Sequence, residues 1–176
     1  MIDLYIQTYH TDIVKIWNKH MTSMKINLKN YSDDYYFGFF KSKNGELGIN
    51  SDSKENIITV SFRPSKLIPN KSIPFIRFSL SMMPGCCAYC VSHDTIISQE
   101  YRNKGYGKKL QAVKKEIAKL LGFTAMICTV TSDNAAEIYI LETHGWIKTN
   151  TIKNKRTGHV VYTYQYILDQ QEEEMI

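Results

Sequence analysis

The residues best suited to hold a charged ligand lie in YRNKGYGKKL, from Tyr101 to Leu110. Here Arg102-x-x-Gly105-x-Gly107 stands between a strand-like run and a strongly helical one. In that setting several backbone N–H groups meet at a helix N-terminus, where the helix dipole and unpaired donors favour a pyrophosphate. Glycine lets the backbone approach a ligand closely, and Arg102, Lys104 and Lys108 add charge. The spacing makes neither a Walker A loop nor a G-x-G-x-x-G dinucleotide fingerprint. Taken alone, the motif reads equally well as an ordinary strand-to-helix turn with solvated lysines. Upstream, His93 supplies an imidazole, the side chain that exchanges protons near neutrality.

Cys87, Cys90 and His93 have the spacing C-x-x-C-x-x-H, which suggests zinc. On a strand, however, Cys87 and His93 share a face while Cys90 points the other way, so no metal is expected. A Cys-His nucleophilic pair lacks the third group that would orient it. Cys86, Cys87, Cys90 and Cys128 are too few and too clustered for a disulfide scaffold and are read as thiols in a reducing compartment.

With 176 residues, 43% of them hydrophobic, the chain suits one domain spanning 1–176. No run approaches the ~20 apolar residues of a bilayer-spanning helix, and MIDLYIQTYH lacks the character of a secretory signal. A cytoplasmic protein with no membrane partner is expected. Lys and Arg number 22 against 17 Asp and Glu. The excess concentrates at Arg102, Lys104, Lys108, Lys109, Lys114, Lys115 and Lys119, where a phosphate-bearing ligand would account for it. From about residue 169 an acidic tail, Asp169 and Glu172 to Glu174, reads as solvated and partly frayed.

Several elements must position the motif. Ile2, Leu4 and Ile6 alternate with polar residues, which predicts a first strand over 2–9. Thr11 and Asp12 then cap a helix whose Ile13, Ile16, Trp17, Met21 and Met24 share a face. Residues 41–56 read as a polar loop and 57–62 as a strand. All four prolines fall between 64 and 84, which predicts an edge strand around Phe75 to Leu80. CCAYCVSHDTIIS reads as a strand ending before Gln99. Gly105 to Leu121 is a helix with Leu110, Val113, Ile117 and Leu120 on one face and lysines opposite, closed by Gly122. A strand over 123–130, a short helix from Asn134 to His144 and two last strands joined by a basic turn at Lys153 to Gly158 complete the chain.

TIISQEYRNKGYGKKLQ resembles motif A of the GNAT acetyltransferases, and SDNAAEIYILETHGWIKT resembles their motif B, with its asparagine, short helix and Gly-aromatic ending. The likeness covers residues 91–150, about a third of the chain; the first 85 residues fit only by their βα start. It implies an α+β fold: a central, mostly antiparallel twisted sheet, flanked by helices, whose strands splay apart around the motif A helix to make a cofactor slot. It further implies that Ile97 and Ser98 offer backbone hydrogen bonds to pantetheine. Arg102, Asn103, Lys104, Gly105, Tyr106, Gly107 and Lys108 would cradle the pyrophosphate of acetyl-CoA, and Asn134 would contact the pantetheine arm.

Acyl transfer to an amine needs a neutral amine, a polarised thioester carbonyl and a thiolate that can leave. His93, read as sharing a strand face with Ile97, is the candidate base and matches a histidine on the corresponding strand of one member of the family. A hydrogen-bonded strand histidine with no catalytic part is the alternative reading. Asp94 is expected on the opposite face. A backbone N–H near Ile97 or Ser98 would serve the carbonyl. The tyrosine that protonates the thiolate in many members is replaced by Leu141, and Tyr139, about 200° round the helix, points elsewhere. Tyr162, Tyr164 and Tyr166, and the run Tyr31, Tyr35, Tyr36, Phe37, Phe39 and Phe40, are candidates for an acceptor pocket, although a tyrosine row on a strand is more often sheet packing.

The implied activity is direct transfer of acetyl from acetyl-CoA to an amine in a ternary complex. The acceptor stays open among a small molecule, a protein amine and an amine carried on nucleic acid. The alternative is a catalytically silent GNAT-like module that binds CoA or a partner. A nucleic-acid-binding domain using the basic stripe has no recognised motif behind it.

Overall fold

The structure, a computed structural model, describes residues 3–28, 31–34, 37–52, 56–65 and 75–168. Among them the order is helix α1 (Asp3–His20), strands β1 (Tyr31–Asp34), β2 (Phe37–Ser42), β3 (Gly45–Asp52), β4 (Ile57–Pro64), β5 (Ile76–Met83) and β6 (Cys86–Ile97), helix α2 (Tyr106–Leu120), strand β7 (Ala125–Thr131), helix α3 (Ala135–Thr143), and strands β8 (Ile147–Lys153) and β9 (Val160–Ile167). The strands make one sheet in the order β1-β2-β3-β4-β5-β6-β7-β9-β8. Its neighbours are antiparallel except β6 and β7, which run parallel because α2 returns the chain between them. This is the expected α+β architecture.

The expected first strand is not there: α1 already runs from Asp3. A short alternation of apolar residues competes poorly with a helix that continues from an already formed segment. The apolar stripe of α1 is the predicted one, with Ile13 and Trp17 fully buried and Ile16 packed against the core. Met21 and Met24, also buried, lie just beyond the helix in a turn, where the Trp17 Nε1–H donates to the Met24 carbonyl at 3.0 Å.

Of the loop expected over 41–56, residues 41–52 are strand and turn instead, and 53–55 lie outside the described residues. β2 turns at Lys43 and Asn44 into β3, whose Leu47 and Ile49 alternate into the core between polar neighbours. Two apolar residues in a polar run are a weak sequence signal, but pairing on both sides satisfies the backbone of β3. Nor is β5 an edge strand. It sits between β4 and β6, because Pro64 closes β4, Pro84 sits in the turn before β6, and β5 itself is free of proline. Pro69, Pro74, Tyr35, Tyr36 and the acidic tail from 169 lie outside the described residues.

Both α1 and α2 pack on one face of the sheet, where Leu47, Ile49, Val60, Phe62, Ile76, Phe78 and Leu80 point inward. Trp17 stacks on Phe62 with ring centroids 5.7 Å apart. Each such side chain, fully removed from water, contributes about 1.5–3 kcal/mol. The opposite face of β3, β4 and β5 carries Gly48, Asn50, Thr59, Ser61 and Arg77, and no helix lies on it among the described residues. At the far margin β8 is exposed along its whole length and pairs with β9 alone.

Candidate functional site

Two features of β6 open the sheet. Its register with β7 runs through Tyr89–Ala125, Cys90–Met126 and Val91–Ile127 and then stops, although both strands continue. Beyond Val91 they part and leave a wedge. The second feature is a bulge. Against β5, Ser79 lies opposite His93 and Arg77 opposite Ile96, so β6 holds one residue more than its partner there. Asp94 absorbs it at φ +51°, in the left-handed region that L-residues other than Asn and Asp rarely visit.

The bulge overturns two expectations at once. Residues directly opposite in an antiparallel pair share a face. Ser92, opposite Leu80, and Ile97, opposite Ile76, therefore face the helices, whereas His93, opposite Ser79, faces the helix-free side. His93 and Ile97 do not share a face, because the extra residue reverses the alternation between them. Asp94, expected on the far side, instead brings a carboxylate oxygen 3.4 Å from His93 Nδ1. The His93 Nε2 is buried without a hydrogen-bond partner.

Within the wedge, a cavity of about 210 Å³ is lined by His93, Asp94, Thr95, Gln111, Lys114 and Leu141, among others. Beside it lies a larger cleft of about 500 Å³ lined by Ile97, Arg102, Asn103, Gly105, Tyr106, Gly107 and Lys108. Thr95, Asn134 and Glu137 line both spaces and mark their junction. The cleft thus gathers most of the residues singled out in the sequence. Ser98 and Lys104 are not among its walls, and the Ser98 hydroxyl and amide are both engaged with the backbone of Phe75. Since Ser98 N–H bonds to Phe75, the ladder's alternation turns the N–H and C=O of Ile97 away from β5 and toward the wedge. The Arg102 Nε–H donates to that Ile97 carbonyl at 3.0 Å.

At the mouth of the cleft, Asn103 and Gly105 adopt φ +57° and +76°, and α2 begins without a side-chain cap. Its first N–H groups are thus left to water or to a ligand. At Gly107 a Cβ would lie 2.7 Å from Ile140 Cδ1 of α3, so a larger residue there obliges the end of that side chain to move. Asn134 caps α3, its Oδ1 accepting from the Glu137 N–H at 3.2 Å. Tyr139 lies on the outer cleft with Lys108 Nζ 5.3 Å from its ring centre, while Leu141 is buried against the inner cavity, so the two diverge as the helical spacing predicts.

Sequence reasoning missed Lys114. The lysines of α2 are not all opposite its apolar face: 114 is four residues after Leu110 and three before Ile117, which places it in the buried stripe. The side chain is 1% exposed, and Nζ donates to Thr95 Oγ1 at 2.5 Å. Burial lowers its pKa below the usual 10.5, against the opposing pull of Glu137, Cys128 and Cys90. The thiols of Cys90 and Cys128 are pushed up to about 12 by the same burial, Lys114 drawing them back only partly, which makes them core groups. The tyrosines of β9 pack rather than line a pocket: Tyr164 is fully buried with its hydroxyl donating to Glu142 at 2.9 Å, and Tyr166 lies 5.7 Å from Trp146. Phe40 is core; Phe39 lines a separate pocket on the helix-free face.

The sheet thus opens at its parallel pair, with a helix N-terminus at one end of the opening and a polar chamber at the other. Residues 79–146 match the model of the Acetyltransferase (GNAT) family. Among solved structures, it is similar to yncA from Salmonella typhimurium, a structure containing its cofactor acetyl-CoA, with 17% identity over 66% of this chain and 67% of that one at a TM-score of 0.53. It is also similar to the spermidine/spermine N-acetyltransferase SpeG from Vibrio cholerae in complex with manganese ions, with 11% identity over 66% and 68% at a TM-score of 0.54. At these identities the likeness is one of fold. No curated protein matches the chain. Among the described residues no helix is long and apolar enough to cross a membrane.

The buried lysine leads to a stability prediction. The unfolded chain binds the Lys114 proton up to about its usual 10.5 while the folded state releases it lower, so Lys114 makes unfolding free energy rise with pH across that window. Cys90 and Cys128 oppose this only above the ordinary thiol value of 9.0. On the approach to pH 9.0, the rise in unfolding free energy with pH is expected to be shallower in Lys114→Met than in wild type, measured by urea denaturation.

Proposed function

We propose that the chain is an acetyl-CoA-dependent N-acetyltransferase that brings donor and amine together in one complex. The observation that carries this reading is the pair of adjacent spaces, one at the uncapped start of α2 and one at the polar chamber by the bulge, that share Thr95, Asn134 and Glu137 as walls. Its parts fit the donor in order. Arg102 and Lys108 beside the free N–H groups of residues 105 to 108 suit a pyrophosphate; Lys104 and Asn103 add a cation and a positive-φ turn at the mouth. The inward N–H of Ile97 and the Asn134 amide suit the polar pantetheine arm. When bound, acetyl-CoA supplies the acetyl thioester at the junction marked by Thr95 and Asn134.

The protein's own groups then have three tasks. His93 takes the proton from the attacking amine through Nε2, and Asp94, beside Nδ1, holds the ring and its charge. The backbone N–H groups turned toward the wedge by the bulge are donors for a carbonyl oxygen there. The third task, returning a proton to the departing sulfur, falls to Lys114 working through Thr95. The Thr95 hydroxyl gives its proton to the sulfur as the Lys114 ammonium, hydrogen-bonded to Thr95 Oγ1, gives one to the oxygen, so that the hydroxyl is restored and Lys114 is left as the neutral amine. A second reading, a CoA-binding module without turnover, is favoured by Leu141, which fills the usual acid position with a buried aliphatic side chain.

Titration calorimetry with acetyl-CoA tests the reading first. Gly107→Glu, which sets a side chain against Ile140 and a negative charge at the cradle, is expected to weaken micromolar binding at least 100-fold; a wild type that binds neither acetyl-CoA nor CoA removes the enzyme reading. His93→Ala is expected to leave CoA affinity and thermal stability unchanged, since Nε2 has no partner to lose, and to lower kcat by about 10²–10⁴. Thr95→Val should lower kcat about tenfold or more with KM for acetyl-CoA unchanged while Thr95→Ser restores it, and equal rates in the two would exclude the hydroxyl.

A further inference from the structure

The helix-free face of the sheet holds a second pocket, about 290 Å³, to which no role has yet been given. Its floor is the polar side of β3, β4 and β5, and Phe39 and Phe75 contribute aromatic walls. Two arginines line it, Arg63 and Arg77. The Arg77 Nε is buried and has no hydrogen-bond partner. A buried donor on a permanently charged group, left unpaired, is costly unless a ligand completes it. Glu46, the acid among the pocket's lining residues, stands across the ladder from Arg63 but pairs with Lys41 at 3.7 Å, and Arg63 has no ion pair among the described residues.

The pocket faces the same side as the candidate base. Thr59 in its floor is hydrogen-bonded to Ser79 at 2.9 Å, and Ser79 lies directly opposite His93. Arg77 lies opposite Ile96, on the other side of the bulge from His93. Arg77 lies one strand over and two residues along from His93, and Arg63 two strands over and four along, so at about 4.8 Å per strand and 3.4 Å per residue their backbones stand roughly 8 Å and 17 Å from that of His93. An amine poised at His93 Nε2 therefore has Arg77 within the length of a small molecule.

Resting on the acetyltransferase reading, we infer that this pocket binds the acid group of the acceptor: the substrate is a small amine carrying a carboxylate or phosphate a few bonds from its nitrogen. The planar fork of arginine matches two oxygens of either group. A polycationic acceptor would meet two like charges here. The fork of Arg77 orients the acid group, Arg63 at the exposed end adds charge, and the amine is left pointing at the bulge.

The test is steady-state acetylation, followed by thiol release from acetyl-CoA, with four matched probes: β-alanine, phosphoethanolamine, ethanolamine and spermidine. One or both acidic amines are expected to exceed ethanolamine and spermidine at least tenfold in kcat/KM, and the better of the two tells carboxylate from phosphate. Arg77→Gln should lower kcat/KM for that acid at least tenfold, mainly through KM, with acetyl-CoA affinity unchanged. Arg77→Lys should recover only part of it, and Arg63→Gln should have a smaller effect in the same direction. Should no probe turn over, binding decides: in the presence of CoA, β-alanine or phosphoethanolamine should raise the wild-type melting temperature and leave that of Arg77→Gln unmoved. Preference for ethanolamine or spermidine, insensitivity to Arg77, or the absence of any Arg77-dependent shift overturns the inference while CoA binding still stands. Loss of CoA binding by wild type would instead overturn the acetyltransferase reading beneath it.

Discussion

Two parallel strands that pair for three residues and then separate impose a constraint on everything around them. Backbone groups along the opened edges of β6 and β7 lose their sheet partners, and a buried strand edge is tolerated only where something else can satisfy it. One such group is met within the chain, since Arg102 reaches back to the Ile97 carbonyl; Lys114 holds the Thr95 hydroxyl, and α3 sets Asn134 and Leu141 along the gap. The remainder of the edge is left for a ligand. The fold's stability and its capacity to bind are thus set by the same few residues, and a change that closes the gap would improve one while abolishing the other.

The charge beneath the gap is the costliest part of this arrangement. Removing an ammonium group from water is unfavourable by several kcal/mol, and a single hydroxyl acceptor with a distant carboxylate returns only part of it. The chain holds this lysine on its most regular helix, pinned among Leu110, Val113, Ile117 and Phe78. Energy that could have gone to packing is committed to holding a proton-bearing group a few ångströms from where the two ligand spaces meet.

Much of this was legible in the residues. The order of elements after Pro84, the helix with its glycine boundaries, and the cleft from Arg102 to Lys108 follow from local patterns, since glycine punctuation and helical periodicity act over a few residues. What the sequence hid depends on pairing. The bulge at Asp94 leaves no compositional mark, and one inserted residue reverses which side His93 serves. β3 is nearly devoid of apolar runs and exists because β2 and β4 flank it. Lys114 could have been found, because its number places it in the apolar stripe; lysine's usual exposure argued against reading it there. Ile2 to Ile6 misled because three alternating apolar residues are too short a run to outweigh the helical pattern of the residues that follow.

An open sheet has two margins, and β8 is one of them. Ile147 and Ile152 stand 66% and 49% exposed on a strand with one neighbour, the arrangement by which chains stack edge to edge into aggregates. Lys148 and Lys153 flank those isoleucines, and the register with β9 slips between Lys148 and Asn150. An approaching strand would have to bury two ammonium groups and match an uneven row of donors. Resistance to polymerisation is thus built into this margin by backbone irregularity as much as by charge, and straightening that slip would remove a safeguard without touching the cleft beside α2.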